Sequence, residues 1–419
     1  MSDGGRGTQR AATRAGLDVA GLRGEFPIFA AMGPRFHYLD NAATGQICRA
    51  AAETLVDFET RARANVKRGV YRLADEATRA FEEARARIAG YLGAREAREV
   101  VITSGTTHAL NLAAHTLCAR LHPGDEILLT CAEHHSNIVP WQLAGRRAGA
   151  VIRAVPLAED GRLDLDRLEA LVSRRTKVVA ATHCSNVTGA LTDIGRLAEA
   201  ARAVGAVLVV DGAQRAPHGP LDVQALGCDL YAFSGHKVFA ATGAGALWIR
   251  GELADELPPF MGGGEMIRRV TLEASTFAPP PHRFEAGTPP IGPALALGAA
   301  VAWLAGLDWP AIHAHEQRLL ERLLEGLRTI RGLRLLGPAD TRARAPLVSF
   351  LVEGVHPHDV CQLLDAFGVC TRGGHHCAQP LHEALGAEAS VRASIALYND
   401  EADIDALLAG LEEVVRRLA

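Results

Sequence analysis

The chain has 419 residues, of which 48% are hydrophobic and 22% are charged, and its formal net charge is −4. A chain of this length accommodates a large core and two domains. It contains no basic block with interleaved aromatic residues and no apolar run of membrane-spanning length, so we expect neither a nucleic-acid partner nor a membrane association. Residues 1–16 lack the apolar core of a secretory signal and are interpreted as a disordered tail, with an arginine-rich organellar targeting segment as the alternative.

Eight cysteines are scattered along the chain, without a Cys-x-x-Cys pair or the spacing of a zinc site. They are Cys48, Cys118, Cys131, Cys184, Cys228, Cys361, Cys370 and Cys377. A chain this long does not depend on a disulfide framework, and most of these residues are expected to be small buried apolar side chains. The pattern favours a reducing, cytoplasmic compartment.

Residues 17–95 mix loops with helices, and the spacing of apolar residues predicts an amphipathic helix over 74–92. Short apolar runs then alternate with helical segments, which include 107–121 and 194–204. The predicted strands are 100–103, 126–130, 151–155, 178–182, 207–210, 230–233 and 246–249. Because these runs are almost continuously apolar, they predict a mostly parallel, doubly wound sheet covered on both faces, in an α/β fold.

The remainder of the chain has a different pattern. A Gly/Pro-rich stretch with 262–264 and 279–281 precedes two predicted helices, 293–305 and 310–325, each with proline at its start and glycine after its end (Gly306 and Gly326). Strands over 347–351 and 391–397 and a helix over 401–418 follow. We therefore predict a large domain over 17–309, with 17–40 packing on the small domain, and a small α+β domain over 310–419 that carries a cysteine loop.

Two polar residues follow predicted strands and indicate a cofactor site. Lys237 comes after the strand at 230–233, within Phe233-Ser234-Gly235-His236-Lys237, and Asp211 ends the strand at 207–210. A lysine can form a Schiff base with the aldehyde of pyridoxal 5′-phosphate (PLP), and an aspartate can keep the pyridine nitrogen protonated. Taken alone, Ser-Gly-His-Lys is compatible with a solvated surface turn; together with Asp211 it favours PLP.

Two further segments suit this cofactor. Ser104-Gly105-Thr106-Thr107 lies between a strand and a helix, where free backbone N–H groups bind an anion, although simple N-capping is the alternative. Ser234 and His236 could donate to the same phosphate. His134 follows the strand at 126–130 and could stack on the pyridine ring and later transfer protons, which makes it a candidate catalytic residue beside Lys237 and Cys377. A metal site with His135 lacks a third ligand at plausible spacing.

A second chemical segment is Arg372-Gly373-Gly374-His375-His376-Cys377. The histidines and the arginine favour the thiolate of Cys377 and hence a nucleophile, whereas a structural cysteine or a Cys/His metal site is the alternative. Arg392 lies in a strand pattern that should be half buried. A buried arginine needs an anionic partner, and a substrate carboxylate is a natural one.

Together these motifs resemble the group II cysteine desulfurases of the SUF system, in the class V aminotransferase family with the fold-type I PLP architecture. The resemblance extends from about residue 26 to the C-terminus. It includes Tyr38-Leu39-Asp40-Asn41-Ala42-Ala43, Glu133-His134-His135-Ser136-Asn137, Asp211-Gly212-Ala213-Gln214, Arg283-Phe284-Glu285-Ala286-Gly287-Thr288-Pro289 and the Arg-x-Gly-His-His-Cys segment that ends at Cys377.

The resemblance implies a role for each matching residue. Lys237 is the Schiff-base lysine, Cys377 forms a persulfide, and Arg392 anchors the substrate carboxylate. The other implied cofactor or substrate contacts are Thr106, Thr107, His134, Asn186, Asp211, Gln214, Ser234, His236 and, across a homodimer interface, Thr288. The implied reaction converts L-cysteine, or L-selenocysteine, to alanine and passes sulfur to an acceptor protein for Fe–S cluster assembly.

Two positions depart from the family pattern, and alternative functions remain open. Lys67 stands where histidine is usual, and His108 stands where an acidic residue is common. The alternatives are a selenocysteine lyase, a cyst(e)ine C–S lyase or an epimerase-like enzyme of the same fold, and a dedicated sulfur donor for a biosynthetic pathway. A nucleotide-binding or scaffold protein is disfavoured because neither Gly-x-Gly-x-x-Gly after the first strand nor a Walker lysine is present.

Overall fold

The computed structural model describes residues 17–418, so the predicted tail at 1–16 lies outside the described residues. The elements before the large sheet are α1 (Val19–Gly24), α2 (Pro27–Met32), β1 (His37–Tyr38), α3 (Arg49–Asp57) with a π-helical turn (Phe58–Ala62), and α4 (Arg72–Leu92). Helix α4 confirms the predicted amphipathic helix and buries Phe81, Ile88 and Tyr91. It ends at Gly93, whose φ of 67° is readily adopted by glycine.

A seven-stranded sheet forms the centre of the molecule. Its strands and the helices between them are, in chain order, β2 (Val100–Thr103), α5 (Thr106–Cys118), β3 (Glu126–Thr130), α6 (Val139–Ala148), β4 (Val151–Val155), α7 (Leu168–Leu171), β5 (Thr176–Thr182), α8 (Ile194–Val204), β6 (Val207–Asp211), α9 (Val223–Leu226), β7 (Leu230–Ser234) and β8 (Gly245–Ile249). The strand order is β2-β8-β7-β6-β5-β3-β4. Strand β8 is antiparallel to both neighbours and the other pairs are parallel, which confirms the predicted α/β fold.

The remaining elements follow in chain order. They are α10 (Gly251–Glu256), β9 (Ile267–Val270), β10 (Ser275–Phe277), α11 (Ile291–Ala305), α12 (Trp309–Thr329), β11 (Leu333–Leu336), β12 (Leu347–Val352), α13 (Pro357–Asp365), β13 (Val369–Cys370), β14 (Arg372–Gly374), α14 (Gln379–Ala384), β15 (Ser390–Ser394) and α15 (Glu401–Leu418). Strands β9 and β10 form an antiparallel hairpin that the sequence did not predict.

Apolar side chains cover both faces of the large sheet. On one face, Phe81 of α4, Leu197 of α8 and Leu297 of α11 belong to one buried cluster. On the other, Leu110 of α5 and Trp141 of α6 belong to a second. This two-sided burial explains why most of the strands are continuously apolar. Strand β4 is the exception, because it forms the edge of the sheet and exposes most of its residues.

Three predicted ends were wrong by three or four residues. The helix predicted over 107–121 ends at Cys118, where α5 stops. Helix α12 does not stop before Gly326 but continues to Thr329. A Cβ at Gly326 would lie 2.3 Å from the side chain of Leu408 in α15, so this glycine permits close packing of the two helices. Strand β15 ends at Ser394 rather than at residue 397, because its partner β12 begins opposite, at Leu347, immediately after Pro346.

A four-stranded antiparallel sheet, in the order β11-β12-β15-β14, follows the large sheet in the chain. Helices α12, α13 and α15 contribute to its buried cluster. The N-terminal segment contacts this region, since β1 pairs in parallel with β13 and Arg23 forms an ion pair with Asp403 of α15. The domain boundaries at 16/17 and 309/310 stay predictions.

No single helix in residues 17–418 is long and apolar enough to cross a membrane. Helices α11 and α12 meet that criterion only as a pair, and they are bent by 89° at the break between them.

Candidate active site

A pocket of about 240 Å³ lies where the carboxyl ends of β3, β5, β6 and β7 approach the cysteine loop. This is the edge at which ligands bind in open α/β sheets. Every predicted site residue except Thr288 lines it. The residues that it brings together are Thr106, Thr107, His134, Asn186, Asp211, Gln214, Ser234, His236, Lys237, Cys377 and Arg392. Thr288 is exposed in the loop before α11, away from this pocket.

Asp211 is buried and Lys237 is half-buried, at the ends of neighbouring parallel strands. Asp211 ends β6, and Lys237 lies in the 3₁₀ turn that follows β7. Burial lowers the pKa of Lys237 to about 8, against the opposing charge of Asp211. Burial raises the pKa of Asp211, whereas the N–H of Ala213, 3.0 Å from Oδ1, and the charge of Lys237 lower it. The lysine is therefore partly neutral near neutral pH, as a nucleophilic amine must be.

The start of α5 and the end of β7 form a cluster of donors. The N–H of Thr106 donates to Ser234 Oγ over 2.8 Å, and the two hydroxyls are 2.7 Å apart. A Cβ at Gly245 would lie 2.6 Å from Gly105 Cα, so only glycine lets these segments approach. Burial lowers the pKa of His236 to about 4, which leaves a neutral imidazole. Hydroxyls, an imidazole and a helix N-terminus are suitable ligands for a phosphate.

His134 is held in one orientation by the loop that follows β3. Its Nδ1 accepts from the N–H of Ser136 over 3.1 Å and lies 2.8 Å from Ser136 Oγ. Burial, followed by the charge of Lys237, lowers the pKa of His134 to about 3, so the ring is neutral. Within residues 17–418 no group of three His, Cys, Asp or Glu side chains is placed to hold a metal ion.

Glu133 holds this loop in place through hydrogen bonds. It was not among the predicted site residues. Its fully buried carboxyl group accepts from Asn137 Nδ2 over 2.6 Å, from the N–H of Thr182 over 2.8 Å and from Thr130 Oγ1 over 2.5 Å. Burial raises the pKa of Glu133 to about 8, and these three donors oppose that shift. Glu133 thus ties the ends of β3 and β5 to the residues around His134.

The loop that carries Cys377 is anchored from across the pocket. His376 and Cys377 have φ values of 50° and 56°, a conformation that is unfavourable for residues with a side chain. The N–H of His135 donates to the Cys377 carbonyl over 2.7 Å, and Asn186 Nδ2 donates to the His376 carbonyl over 2.7 Å. Cys377 itself is exposed. These two hydrogen bonds hold an accessible thiol at the pocket.

Arg392 extends from β15 into the pocket and is only partly satisfied there. Nη1 donates to the Asn186 carbonyl over 2.9 Å and Nη2 to Asp40 Oδ1 over 3.3 Å, while Nε is buried without a partner. Burial lowers the pKa of Arg392 to about 10, which the charge of Asp40 opposes. Arg372 lies opposite Arg392 in the sheet and lines the same pocket. The two guanidinium groups of Arg392 and Arg372 carry more positive charge than Asp40 balances, and this excess favours an anionic substrate.

The two departures from the family pattern lie outside the pocket. Lys67 Nζ donates to Glu285 Oε2 over 3.4 Å and lies 3.1 Å from His282 Nδ1. Glu285 is buried and also pairs with Arg85. Lys67 therefore completes a buried ionic cluster rather than lining the active-site pocket. His108 accepts from the N–H of Ser104 over 3.2 Å and does not line the pocket.

Other lining residues were not predicted as site residues. From the sequence, Arg372 and His376 were expected only to favour the thiolate of Cys377, not to line the pocket. Thr182 and Cys184 line the pocket at the end of β5. The rule that ligands bind at the carboxyl ends of parallel strands would have indicated both. Burial raises the pKa of Cys184 to about 12, so this thiol stays protonated.

The pocket fits PLP on the chemistry of its side chains. It contains a half-buried amine for the aldehyde, a buried carboxylate for the pyridine nitrogen, a neutral imidazole and a phosphate-binding donor cluster. The fold and this site define a PLP-dependent enzyme of fold type I.

Comparisons with known proteins agree with this class. The chain belongs to the aminotransferase class-V family, whose model matches residues 37–407. A probable cysteine desulfurase of Streptomyces coelicolor is 45% identical over 95% of this chain and 97% of its own length. The crystal structure of the cysteine desulfurase CsdA (S-sulfonic acid) from Escherichia coli superposes with a TM-score of 0.90 at 36% identity, covering 96% of this chain and all of that one. An apo cysteine desulfurase from Thermococcus onnurineus gives 0.91 at 36% identity, over 97% of this chain and all of its own.

Proposed function

We propose that this chain is a cysteine desulfurase that converts L-cysteine to L-alanine and retains the sulfur as a persulfide on Cys377. The observation that carries this proposal is the anchored loop, which presents an exposed thiol at a pocket that Lys237 and Arg392 also line. The names of the related proteins support the same activity. A lyase that eliminates sulfur needs no thiol at this position.

The residues of the pocket divide the binding of PLP among them. We assign Lys237 to the aldehyde, Asp211 to the pyridine nitrogen and His134 to the ring face. The phosphate is assigned to the donor cluster of Thr106, Thr107, Ser234 and His236. We assign Gln214 to the ring hydroxyl. Its Nε2 already donates to the Ala42 carbonyl over 2.8 Å, so the assignment uses its Oε1. Asn186 shares this role through Oδ1, because its Nδ2 holds the cysteine loop.

Arg392 positions the substrate. Its unpartnered Nε and the nearby Arg372 favour a carboxylate, and Asp40 and the Asn186 carbonyl fix the guanidinium plane. Lys237, Arg392 and Cys377 line the same pocket, so an amino acid whose carboxylate binds Arg392 would be within one small space with the amine and the thiol.

Removal of the Cα proton leaves negative charge on carbon, and PLP, when bound, would act as the electron sink for that charge. Lys237, in its neutral form, takes the proton from the substrate Cα and returns a proton to carbon. The thiolate of Cys377 attacks the substrate sulfur, so that an S–S bond forms while the C–S bond breaks. The electron pair of that C–S bond remains on carbon and is protonated, which gives alanine. Cysteine and one thiol thus yield alanine and one persulfide, without an external oxidant.

The fate of the sulfur belongs to the same proposal. An exposed persulfide on Cys377 is accessible to a thiol of an acceptor protein, and Fe–S cluster assembly is the assigned destination by analogy. Exposed Thr288 suits a contact with the phosphate of a second subunit, in a homodimer. L-selenocysteine is a second substrate on the same residues. Eight free cysteines suit a cytoplasmic enzyme.

The decisive experiment measures alanine and pyruvate released from L-cysteine by the purified holoenzyme, with and without a thiol acceptor, beside Cys377→Ala. Alanine from the wild type and none from the variant is the expected result. Pyruvate from both proteins would identify a C–S lyase and overturn the proposal. Retention of the cofactor absorbance by Cys377→Ala, and its loss in Lys237→Ala, shows that the variants act at different points.

A further inference from the structure

A second cavity, of about 250 Å³, lies between α12 and the loops at 215–218 and 344–346. The polar residues that line it are Arg215, His218, His313, Glu316, Gln317 and Arg344. None of them lines the active-site pocket, and none has a role in the function proposed above. We name this space the arginine cavity.

Arg344 is buried without an acidic partner. It is 4% exposed, and Nη1 donates to the Pro338 carbonyl over 2.7 Å while Nη2 donates to the Leu347 carbonyl over 2.8 Å. Its Nε is buried and has no hydrogen-bond partner. No carboxylate in residues 17–418 lies within 4 Å of this guanidinium, which differs from the pairing of Arg85 and Arg392. A buried charge in this state favours an anion supplied from outside.

Arg215 adds a second positive charge that is equally unmatched. It donates to the carbonyls of His218 and Gly219 over 3.0 and 3.3 Å, and no described carboxylate lies within 4 Å of it. The single carboxylate on the wall, Glu316, lies 3.1 Å from the Nδ1 of His218, and the two arginines outnumber it. The wall therefore has an excess of positive charge.

We propose that the arginine cavity binds a small oxyanion, of the carboxylate or phosphate class, that contacts Arg215 and Arg344. Its two guanidinium groups, neither of which has an acidic partner among the described residues, suit such an anion. Carboxylates and phosphates share the planar or tetrahedral oxygen pairs that guanidinium groups bind.

The cavity is linked to the active site by one short hairpin. Residues 184 and 191 form an antiparallel bridge; Cys184 lines the active-site pocket and Leu191 lines the arginine cavity. Ala190 forms a further bridge with Arg344. An anion bound to Arg344 would therefore contact a residue that pairs directly with this hairpin.

The test titrates the holoenzyme with inorganic phosphate and, separately, with acetate by calorimetry, because bound PLP fills the phosphate site of the active-site pocket. Arg344→Gln removes the hydrogen bonds to the carbonyls of Pro338, Leu336 and Leu347 and would confuse binding with folding. Gln317→Glu instead adds one negative charge to the cavity wall, and Arg215→Gln removes one positive charge from it. Arg318→Gln is the matched control: it makes the same unit change of charge on α12, at an exposed residue that does not line the cavity.

We expect saturable binding of one anion per chain, weakened about tenfold in Gln317→Glu and Arg215→Gln and unchanged in Arg318→Gln. Loss of phosphate binding in the variants identifies the phosphate class, and loss of acetate binding identifies the carboxylate class. Equal binding in all four proteins, or no saturable binding of either anion, would overturn the proposal. Alanine release is measured on the same preparations, so failure of the desulfurase proposal is scored separately.

Discussion

The lowered pKa of Lys237 predicts how fast a cofactor-free chain takes up PLP at each pH. Burial moves the pKa of this lysine from 10.5 to about 8. Only the neutral amine attacks an aldehyde, and about one tenth of such lysines are neutral at pH 7. An ordinary lysine is neutral in only about 0.03% of molecules at that pH, so the half-buried amine has an advantage of about three hundredfold. The rate of PLP uptake should rise with pH and level off above a midpoint near 8.

The assay follows the absorbance of the lysine-bound cofactor after PLP is mixed with the cofactor-free chain at a series of pH values. The same series with PLP and a soluble amine corrects for ionisation of PLP itself. Asp211→Asn should move the midpoint further down, because the negative charge of Asp211 raises the pKa of Lys237. A midpoint near 10.5, the value for a solvated lysine, would refute the reasoning, and so would an upward shift in Asp211→Asn.

Three further predictions concern binding and stability. Arg392→Gln should raise the KM for L-cysteine and lower kcat/KM by about tenfold to a hundredfold, the value of one or two charged hydrogen bonds, in steady-state kinetics; an unchanged KM would contradict its assignment. Glu133→Ala leaves three buried donors unsatisfied and should cost about 3 kcal/mol or more in denaturant unfolding, whereas an unchanged midpoint would show that the carboxylate is not needed. Gly212→Ala places a Cβ 2.0 Å from the buried ring of Tyr231 and should cost about 1–3 kcal/mol or more; Gly90→Ala, in open space on α4, is the control and should not destabilise.

Apolar periodicity was sufficient to predict the strands of the large sheet but not their directions. Strand β8, which is antiparallel to both neighbours, is as apolar as the parallel strands of the sheet, because burial on both faces selects the same residues whichever way the strand runs. The glycine rule was wrong at Gly326 because a glycine after an apolar stripe serves helix packing as well as helix termination. Contact with Leu408, more than eighty residues further on, decides between the two.

The chemical residues of the site were predictable because each follows a strand or lies in a short motif. Their connections were not. The bond from Asn186 to His376 and the pair of Arg392 with Asp40 join segments that are far apart in sequence, and they exist only once the two sheets approach. Glu133 is adjacent to His134 in sequence, but its importance arises from the burial that the fold imposes. The role of Lys67 likewise could not be predicted, because it depends on the ion pair with Glu285 that the fold creates.

Transfer of sulfur to Cys377 is measured most directly by peptide mass spectrometry. The holoenzyme is exposed to L-cysteine without an acceptor, quenched and digested under conditions that preserve persulfides. We expect one additional sulfur atom on the peptide that contains Cys377, together with one alanine per chain. Additional sulfur confined to another cysteine, such as Cys361 or Cys370, or the absence of any added sulfur while pyruvate accumulates, would contradict it.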